Sequence, residues 1–380
     1  MSHLFTAFSA GCPTGYEGTT RTIPAGATMV APRHAAWSLS QCLEAAGMSA
    51  PRMSAVGHYT RPYCGQDLSG RSLLAWRGCG IGDQLVFAGC LAWLQERYPS
   101  ARIDLLCDPR LGAALWAGAL NLPFRLLAEP LPLAVWRAYD YHWIAEGLCD
   151  GDREPDQPDI WTGHLASIGQ GDAPASVRLP LVPYSSGWYG AAHQFLAELP
   201  VTSWPLALWH LAASSTVRSL PPDVTVATLR LLHAVRPDIR VIVTGAPAQY
   251  EEYKEVFTLP NVIADTSALQ LQAVFALVER MDVLVCPDSC LGHVSAAYAT
   301  PTVSLWCPFP ARARVAGYGN HLPVEAACDC APCWAHEVDP FGSVRQGCPR
   351  EPAGADSGRW CKGLQAIRPQ VIVDRIKEIL

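Results

Sequence analysis

The stretch Ser72-Leu73-Leu74-Ala75-Trp76-Arg77-Gly78-Cys79-Gly80-Ile81-Gly82-Asp83 decides the fold. Its first five residues are a short apolar run bounded by glycines and read as a buried strand. The glycines that follow allow a tight turn and close backbone approach, and a helical stretch covers 84–96. A strand over 102–107, a helix over 109–120 and a later strand over 139–145 come next. Strand, glycine turn, helix, strand is the rhythm of a parallel βαβ unit. Asp83 falls at or near the N-cap of the helix. There it either accepts backbone N–H bonds or faces a cleft as a general base.

Outward from this unit, 151–190 weakens into Asp, Pro, Gly and Ser and holds a domain link near its end. A second βα series follows: 193–198, a helix starting after Trp204-Pro205, a strand over 240–244 and a short strand at Val262-Ile263. A helix over 269–280, a strand over 282–286, a helix over 291–298 and a strand over 302–306 complete it. The fold class is therefore α/β, with two Rossmann-like domains facing a cleft. Ligands in such sheets lie at the carboxyl ends of the strands. Residues 1–70, rich in Gly, Pro, Thr and Ser with a short helix near 39–46, read as a small β-rich accessory domain. The expected division is 1–70 accessory, 71–188 first Rossmann-like domain, 189–326 second, 327–364 cysteine finger and 365–380 terminal helix, which packs back across the domains.

Of the 380 residues, half are hydrophobic, which excludes a disordered or fibrous chain. Lys+Arg 28 against Asp+Glu 34 gives a net charge of −6. That mild balance, with no basic run, argues against a nucleic-acid partner. Fifteen cysteines scattered through apolar segments read as a reduced chain and not a disulfide scaffold. Residues 1–12 lack a basic n-region and a long apolar stretch, and no segment offers 18 uninterrupted apolar residues. A soluble cytoplasmic protein without a membrane span is expected.

Two further motifs carry chemistry. In Cys286-Pro287-Asp288-Ser289-Cys290-Leu291-Gly292-His293 a buried strand ends, a polar pair follows and a helix begins with an early histidine. Free N–H groups and the helix dipole suit a phosphate there, with His293 as an added donor. On the bland alternative, Asp288 or Ser289 caps the helix and His293 is a half-buried surface residue. The tail carries Cys330-x2-Cys333, then Cys348 and Cys361, with Cys328 as a spare. Four thiolates at this spacing fit a tetrahedral site for one structural iron or zinc, with disulfides or free thiols as the alternatives. All four metal positions being filled, no catalytic metal is expected. Thr266 and Ser267 precede a helix, as caps or as hydroxyls that touch a nucleotide.

Together these pieces resemble the heptosyltransferase family of GT-B glycosyltransferases (glycosyltransferase family 9-like). The Gly-x-Gly-Asp-x-Leu turn is Gly80–Leu85, the Thr-Ser-Leu-x-Gln-Leu start is matched by Thr266–Leu271 with one insertion, and Asp288–Val303 matches the Asp-Ser-Gly-x-x-His segment. The Trp-Pro-x-x-x-Trp segment lies at 204–209. The cysteine tail and N-terminal extension look most like the bacterial autotransporter heptosyltransferases, which glycosylate adhesin serines from ADP-heptose, bind iron and form homo-oligomers. The resemblance implies Asp83 as catalytic base. It implies a nucleotide-sugar donor held by Gly82, Thr202, Thr266, Ser267, Asp288, Ser289, Cys290, Leu291, Gly292 and His293. Thr202 stands where the family has a phosphate-binding lysine, two residues before the Trp-Pro pair, and Arg312 or Arg314 is the expected substitute. Cys290 stands where the family has glycine. The implied activity is inverting transfer of heptose to a serine hydroxyl. The alternatives are a non-catalytic GT-B assembly protein, or transfer to lipopolysaccharide core or another glycan.

Overall fold

The computed structural model describes residues 5–9, 13–16, 19–22, 28–32, 52–55, 60–78, 80–107, 111–145, 159–171, 173, 179–200, 204–333, 348 and 360–380. The helix expected near 39–46 and the site candidate Thr202 lie outside them, as does Cys79 in the glycine turn.

The chain begins with short strands β1 (Phe5–Ser9), β2 (Pro13–Tyr16), β3 (Thr19–Thr22), β4 (Thr28–Pro32) and β5 (Arg52–Ala55). β1 pairs antiparallel with both β4 and β5, and β2 pairs with β3.

Next come β6 (Ser72–Trp76), α1 (Ile81–Arg97), β7 (Arg102–Cys107), α2 (Leu111–Trp116), β8 (Arg125–Ala128), β9 (Leu131–Pro132), α3 (Leu133–Arg137) and β10 (Tyr141–Ile144). β6 is buried along its whole length, as a strand covered on both faces must be. The parallel order is β10-β6-β7-β8, and β9 pairs with β4, which ties the N-terminal strands to this lobe.

After α4 (Ile160–Ala166) and α5 (Ser186–Ala197) the second series runs β11 (Leu206–His210), α6 (Pro222–Val235), β12 (Arg240–Thr244), α7 (Pro247–Glu252), β13 (Val262–Asp265) and α8 (Leu271–Val278). It continues through β14 (Val283–Pro287), α9 (Cys290–Tyr298), β15 (Thr302–Trp306), α10 (Arg312–Val315), β16 (His321–Glu325), α11 (Lys362–Gln365) and α12 (Pro369–Ile379). Its sheet is parallel throughout, in the order β13-β12-β11-β14-β15-β16.

Three expectations are corrected. The stretch 193–198 is the last part of helix α5 and its C-cap Glu198, because Ala, Gln and Leu there are strong helix formers. No helix follows Trp204-Pro205: that apolar run is the interior strand β11, hydrogen-bonded on both sides by β12 and β14. α12 packs on α6 and over β15 and β16, burying Ile372, Val373 and Ile376 within the second lobe and not across the domains.

One apolar core runs through both lobes. Leu85, Leu91 and Trp161 of the first meet Phe275, Leu291 and Val294 of the second. Each such side chain stabilises the arrangement by about 1.5–3 kcal/mol on full burial. The opening turns of α1 and α9 are thereby pressed together, and they carry the two motifs of interest.

Candidate active site

Gly80 is the N-cap of α1, so Asp83 is the third residue of the helix, within its first turn, and is not its cap. Its Oδ1 instead accepts a hydrogen bond from Arg77 Nη2 at 3.0 Å. Arg77 sits just past β6 with its side chain wholly enclosed, while Asp83 keeps 20% exposure. The guanidinium also donates to the Ala145 carbonyl at 3.0 Å, and the Gln84 amide donates to the Arg77 carbonyl. Arg77 is thus clamped from both ends, and it fixes the carboxylate's orientation. Oδ2 makes no hydrogen bond among the described residues and lies on the Gly80 side of the turn. Burial works against the ionised form, but the charges of Arg77 and Arg314 outweigh it and hold the Asp83 carboxyl well below the usual carboxylate range.

Gly82 joins this turn to the other lobe. A methyl group added at Gly82 would lie 2.8 Å from His293 Cδ2, 3.3 Å from its Nε2 and 3.5 Å from Cys290 Cα. Only a residue without a side chain lets the backbones approach so closely. The turn that carries Asp83 therefore packs directly against the start of α9.

At α9 the bland reading fails: Ser289 is the N-cap residue, yet no side chain caps the helix. The Ser289 hydroxyl turns away to Nδ1 of His210, 2.9 Å distant at the carboxyl end of β11. That leaves the N–H groups of Cys290 and Leu291 at the start of a nine-residue helix without a capping side chain, a place that suits an anion, while the Gly292 N–H donates to the Ser289 carbonyl at 3.2 Å. Leu291 is core, at 2% exposure, so its backbone and not its side chain faces any ligand. Asp288 is buried and pairs with Arg218, whose Nη1 is 3.4 Å from Oδ2. His293 is buried too, which pushes its imidazole down to about 4 and keeps it neutral at pH 7.

Arg218 is a site residue the sequence reading missed. It ends the turn Thr216–Arg218 after β11, donates to Ser214 Oγ at 2.7 Å, and carries a buried Nε without a hydrogen-bond partner among the described residues. Ser215 Oγ nearby is buried and likewise unpartnered. A signal existed. Arg218 stands two positions before Leu220-Pro221, the spacing that the resembled family's lysine has to Trp-Pro, and the helix α6 follows. Arg314, one of the two substitutes considered, is buried beside Asp83, with its guanidinium 4.8 Å from the Phe309 ring centre.

Thr266 and Ser267 do not cap α8, whose N-cap is Gln270. Thr266 Oγ1 donates to Thr244 Oγ1 at 2.8 Å, and the Ser267 N–H donates to Asp265 Oδ1 at 2.8 Å. Both stand at the carboxyl end of β13, three strands from β14. At about 4.8 Å per strand, they cannot touch the same phosphate as Asp288. They line the far end of the same row of strand termini.

In the tail, Cys328 Sγ lies 3.3 Å from Cys330 Sγ and 3.6 Å from Cys307 Sγ, and Cys361 interacts with Cys307. Cys348 is buried. Among the described residues no group of three or more His, Cys, Asp or Glu is arranged to hold a metal ion. The residues between Cys333 and Cys348, and 349–359, lie outside the description. Cys307, at the end of β15, had no spacing signal linking it to the tail.

Residues 232–334 match the family model described as Glycosyltransferase family 9 (heptosyltransferase), the family already indicated by the motifs. The chain is heptosyltransferase-like over a region holding Thr266, the Asp288–His293 turn and the first tail cysteines. No curated protein matches the chain. Among solved structures, the Escherichia coli ADP-heptose lipopolysaccharide heptosyltransferase II is 16% identical, with TM-score 0.56 over 81% of this chain and 98% of that one. A glycosyltransferase family 9 protein of Veillonella parvula is 13% identical, with TM-score 0.61 over 83% and 98%. The iron-containing dodecameric glycosyltransferase TibC of enterotoxigenic E. coli is 12% identical, with TM-score 0.58 over 99% and 90%. TibC has also been solved with ADP-D-β-D-heptose, and that structure superposes with TM-score 0.54. These likenesses establish an α/β fold of parallel sheets shared with heptosyltransferases. No helix among the described residues is long and apolar enough to cross a membrane.

Proposed function

We propose that this chain is an inverting glycosyltransferase that moves heptose from ADP-heptose to a serine hydroxyl of an autotransporter adhesin, in the cytoplasm and as a homo-oligomer. One observation carries the reading. Gly82 packs on His293, which brings the turn of a fixed carboxylate against a helix N-terminus without a side-chain cap.

The donor diphosphate rests on the N–H groups of Cys290 and Leu291, which no N-cap side chain satisfies, with Arg218 Nε and Ser215 Oγ completing the cradle. Arg218 takes the role expected of a lysine at position 202. Thr266 and Ser267 lie toward the nucleoside. The acceptor oxygen attacks the anomeric carbon from the Asp83 side, the bond from that carbon to the phosphate oxygen breaks, and ADP leaves with the electron pair. The hydroxyl proton passes to Asp83 Oδ2, and the configuration inverts. Held by Arg77, Asp83 is a weak base, and it serves because the attacking hydroxyl turns strongly acidic as its new bond forms. The negative charge that grows on the leaving diphosphate meets the helix dipole, Arg218 and the neutral imidazole of His293.

The serine acceptor and the oligomer are supported by the TibC likeness, which spans 99% of this chain and so includes the N-terminal region. For the tail we propose one structural iron or zinc on Cys330, Cys333, Cys348 and Cys361. Thiols alone are soft donors suited to either metal; the close sulfur pairs in the tail, Cys328 with Cys330 at 3.3 Å and with Cys307 at 3.6 Å, include one of the four, Cys330. The bound metal supplies ordering energy for a segment poor in apolar residues and takes no part in the transfer. Incubation with ADP-heptose and purified adhesin, read by ADP release and by the mass added per serine, tests the activity. No ADP release and no added mass would refute it.

A further inference from the structure

Behind His293 lies a chain of hydrogen bonds that the transfer chemistry does not by itself require. Trp161 Nε1 donates to Tyr318 Oη at 3.1 Å, and Tyr318 Oη lies 2.8 Å from His293 Nδ1. All three side chains are buried, at 1%, 5% and 5% exposure. Trp161 belongs to α4, whose start is fixed by Asp159 accepting from the N–H groups of Trp161 and Thr162. Tyr318 and His293 belong to the second lobe. The chain of bonds therefore crosses between the lobes directly behind the contact of His293 with Gly82.

Its direction follows from the donor inventory. An indole N–H can only donate, so Tyr318 Oη accepts from Trp161. The tyrosine proton then needs an acceptor of its own, and His293 Nδ1 is the remaining partner of that hydroxyl among the described residues. An imidazole that accepts at Nδ1 carries its single proton on Nε2. Nε2 is the ring nitrogen turned toward Gly82 and the Asp83 turn.

We propose that Trp161 and Tyr318 are positioning residues that set the His293 tautomer, so that an Nε2–H is presented to the groove when the two lobes are in register. The inference rests on the proposed transferase reading for its consequence in turnover, but the tautomer itself does not depend on that reading. The ring points a donor at the reacting phosphate or sugar oxygen and relies on the first lobe to hold it there.

The test is a two-bond proton–nitrogen correlation spectrum of the full-length, histidine-labelled protein, with His293→Asn identifying the signal. The wild type is expected to show His293 protonated on Nε2. Tyr318→Phe, which keeps the ring, and Trp161→Phe, which removes the indole N–H together with some ring volume, are expected to shift the tautomer ratio at least about fivefold, with kcat for ADP release from ADP-heptose falling about 3- to 10-fold and donor KM little changed. A wild-type ring protonated on Nδ1 overturns the proposal, as does an unchanged tautomer in both variants, or unchanged kcat despite a shifted one. If wild-type protein releases no ADP, the transferase reading fails while the spectrum still decides this one.

Discussion

Replacing Gly82 by alanine places a methyl group where the two lobes touch. The new Cβ would stand 2.8 Å from His293 Cδ2, against the 3.4 Å at which ordinary contact begins, and 3.5 Å from the Cys290 backbone. The Cys290 contact is an ordinary one, so the strain falls on the imidazole, which is held from behind by Tyr318. The strain is that of overpacking a tight site, about 1–3 kcal/mol. If it is carried by the alignment of Asp83 with the diphosphate cradle, kcat/KM for ADP-heptose falls about 5- to 150-fold. Steady-state ADP release measures this, with thermal unfolding in parallel. Gly190→Ala is the control, because a methyl at that exposed helical position meets nothing within 4 Å. A Gly82→Ala enzyme within twofold of wild type would show that the two motifs do not act across a common contact.

Arg218→Ala should weaken ADP binding by about 10- to 100-fold, as the loss of a charge-assisted contact worth roughly 1.5–3 kcal/mol implies; calorimetric titration with ADP checks this, and unchanged affinity removes Arg218 from the cradle. Burial pushes His142, His210, His293 and His321 each down to about 4. Between pH 6.5 and 4 the unfolded chain therefore binds protons that the folded one refuses. Stability should be lost as pH falls through this window, by up to about 1.4 kcal/mol per pH unit for each histidine. Thermal denaturation from pH 7.5 to 4.5 reads it, and a flat Tm contradicts the assignment. Metal analysis of purified protein should find about one iron or zinc per chain and much less in Cys330→Ser; a metal-free wild type ends the proposed finger.

Much of the architecture was legible because apolar runs and glycine turns report parallel βα units directly. Strands 102–107 and 302–306 match β7 and β15 end to end, and the helix at 291–298 is α9 but for one residue. The misreading at Trp204-Pro205 arose because a proline opening an apolar run suits a first helical turn as well as the edge of a buried strand. The same reading passed over Arg218, which bears to Leu220-Pro221 the spacing that position 202 bears to Trp204-Pro205. Periodicity does not foretell which oxygen of Asp83 is tied down, or that Ser289 abandons its cap for His210. Those depend on Arg77 and His210, brought in by neighbouring strands at distances only the folded chain sets. Nor does spacing link Cys307 to Cys328, since that contact comes from the end of β15 folding over the tail.

The most direct measurement pairs turnover with binding in Asp83→Asn, which keeps the side chain's shape and removes its capacity to take a proton. ADP release from ADP-heptose should fall about 10²- to 10⁴-fold while ADP affinity, measured on the same preparation, stays within about threefold of wild type. Turnover near the wild-type rate would contradict the claim that this carboxylate, set across the groove from the α9 cradle, takes the acceptor's proton.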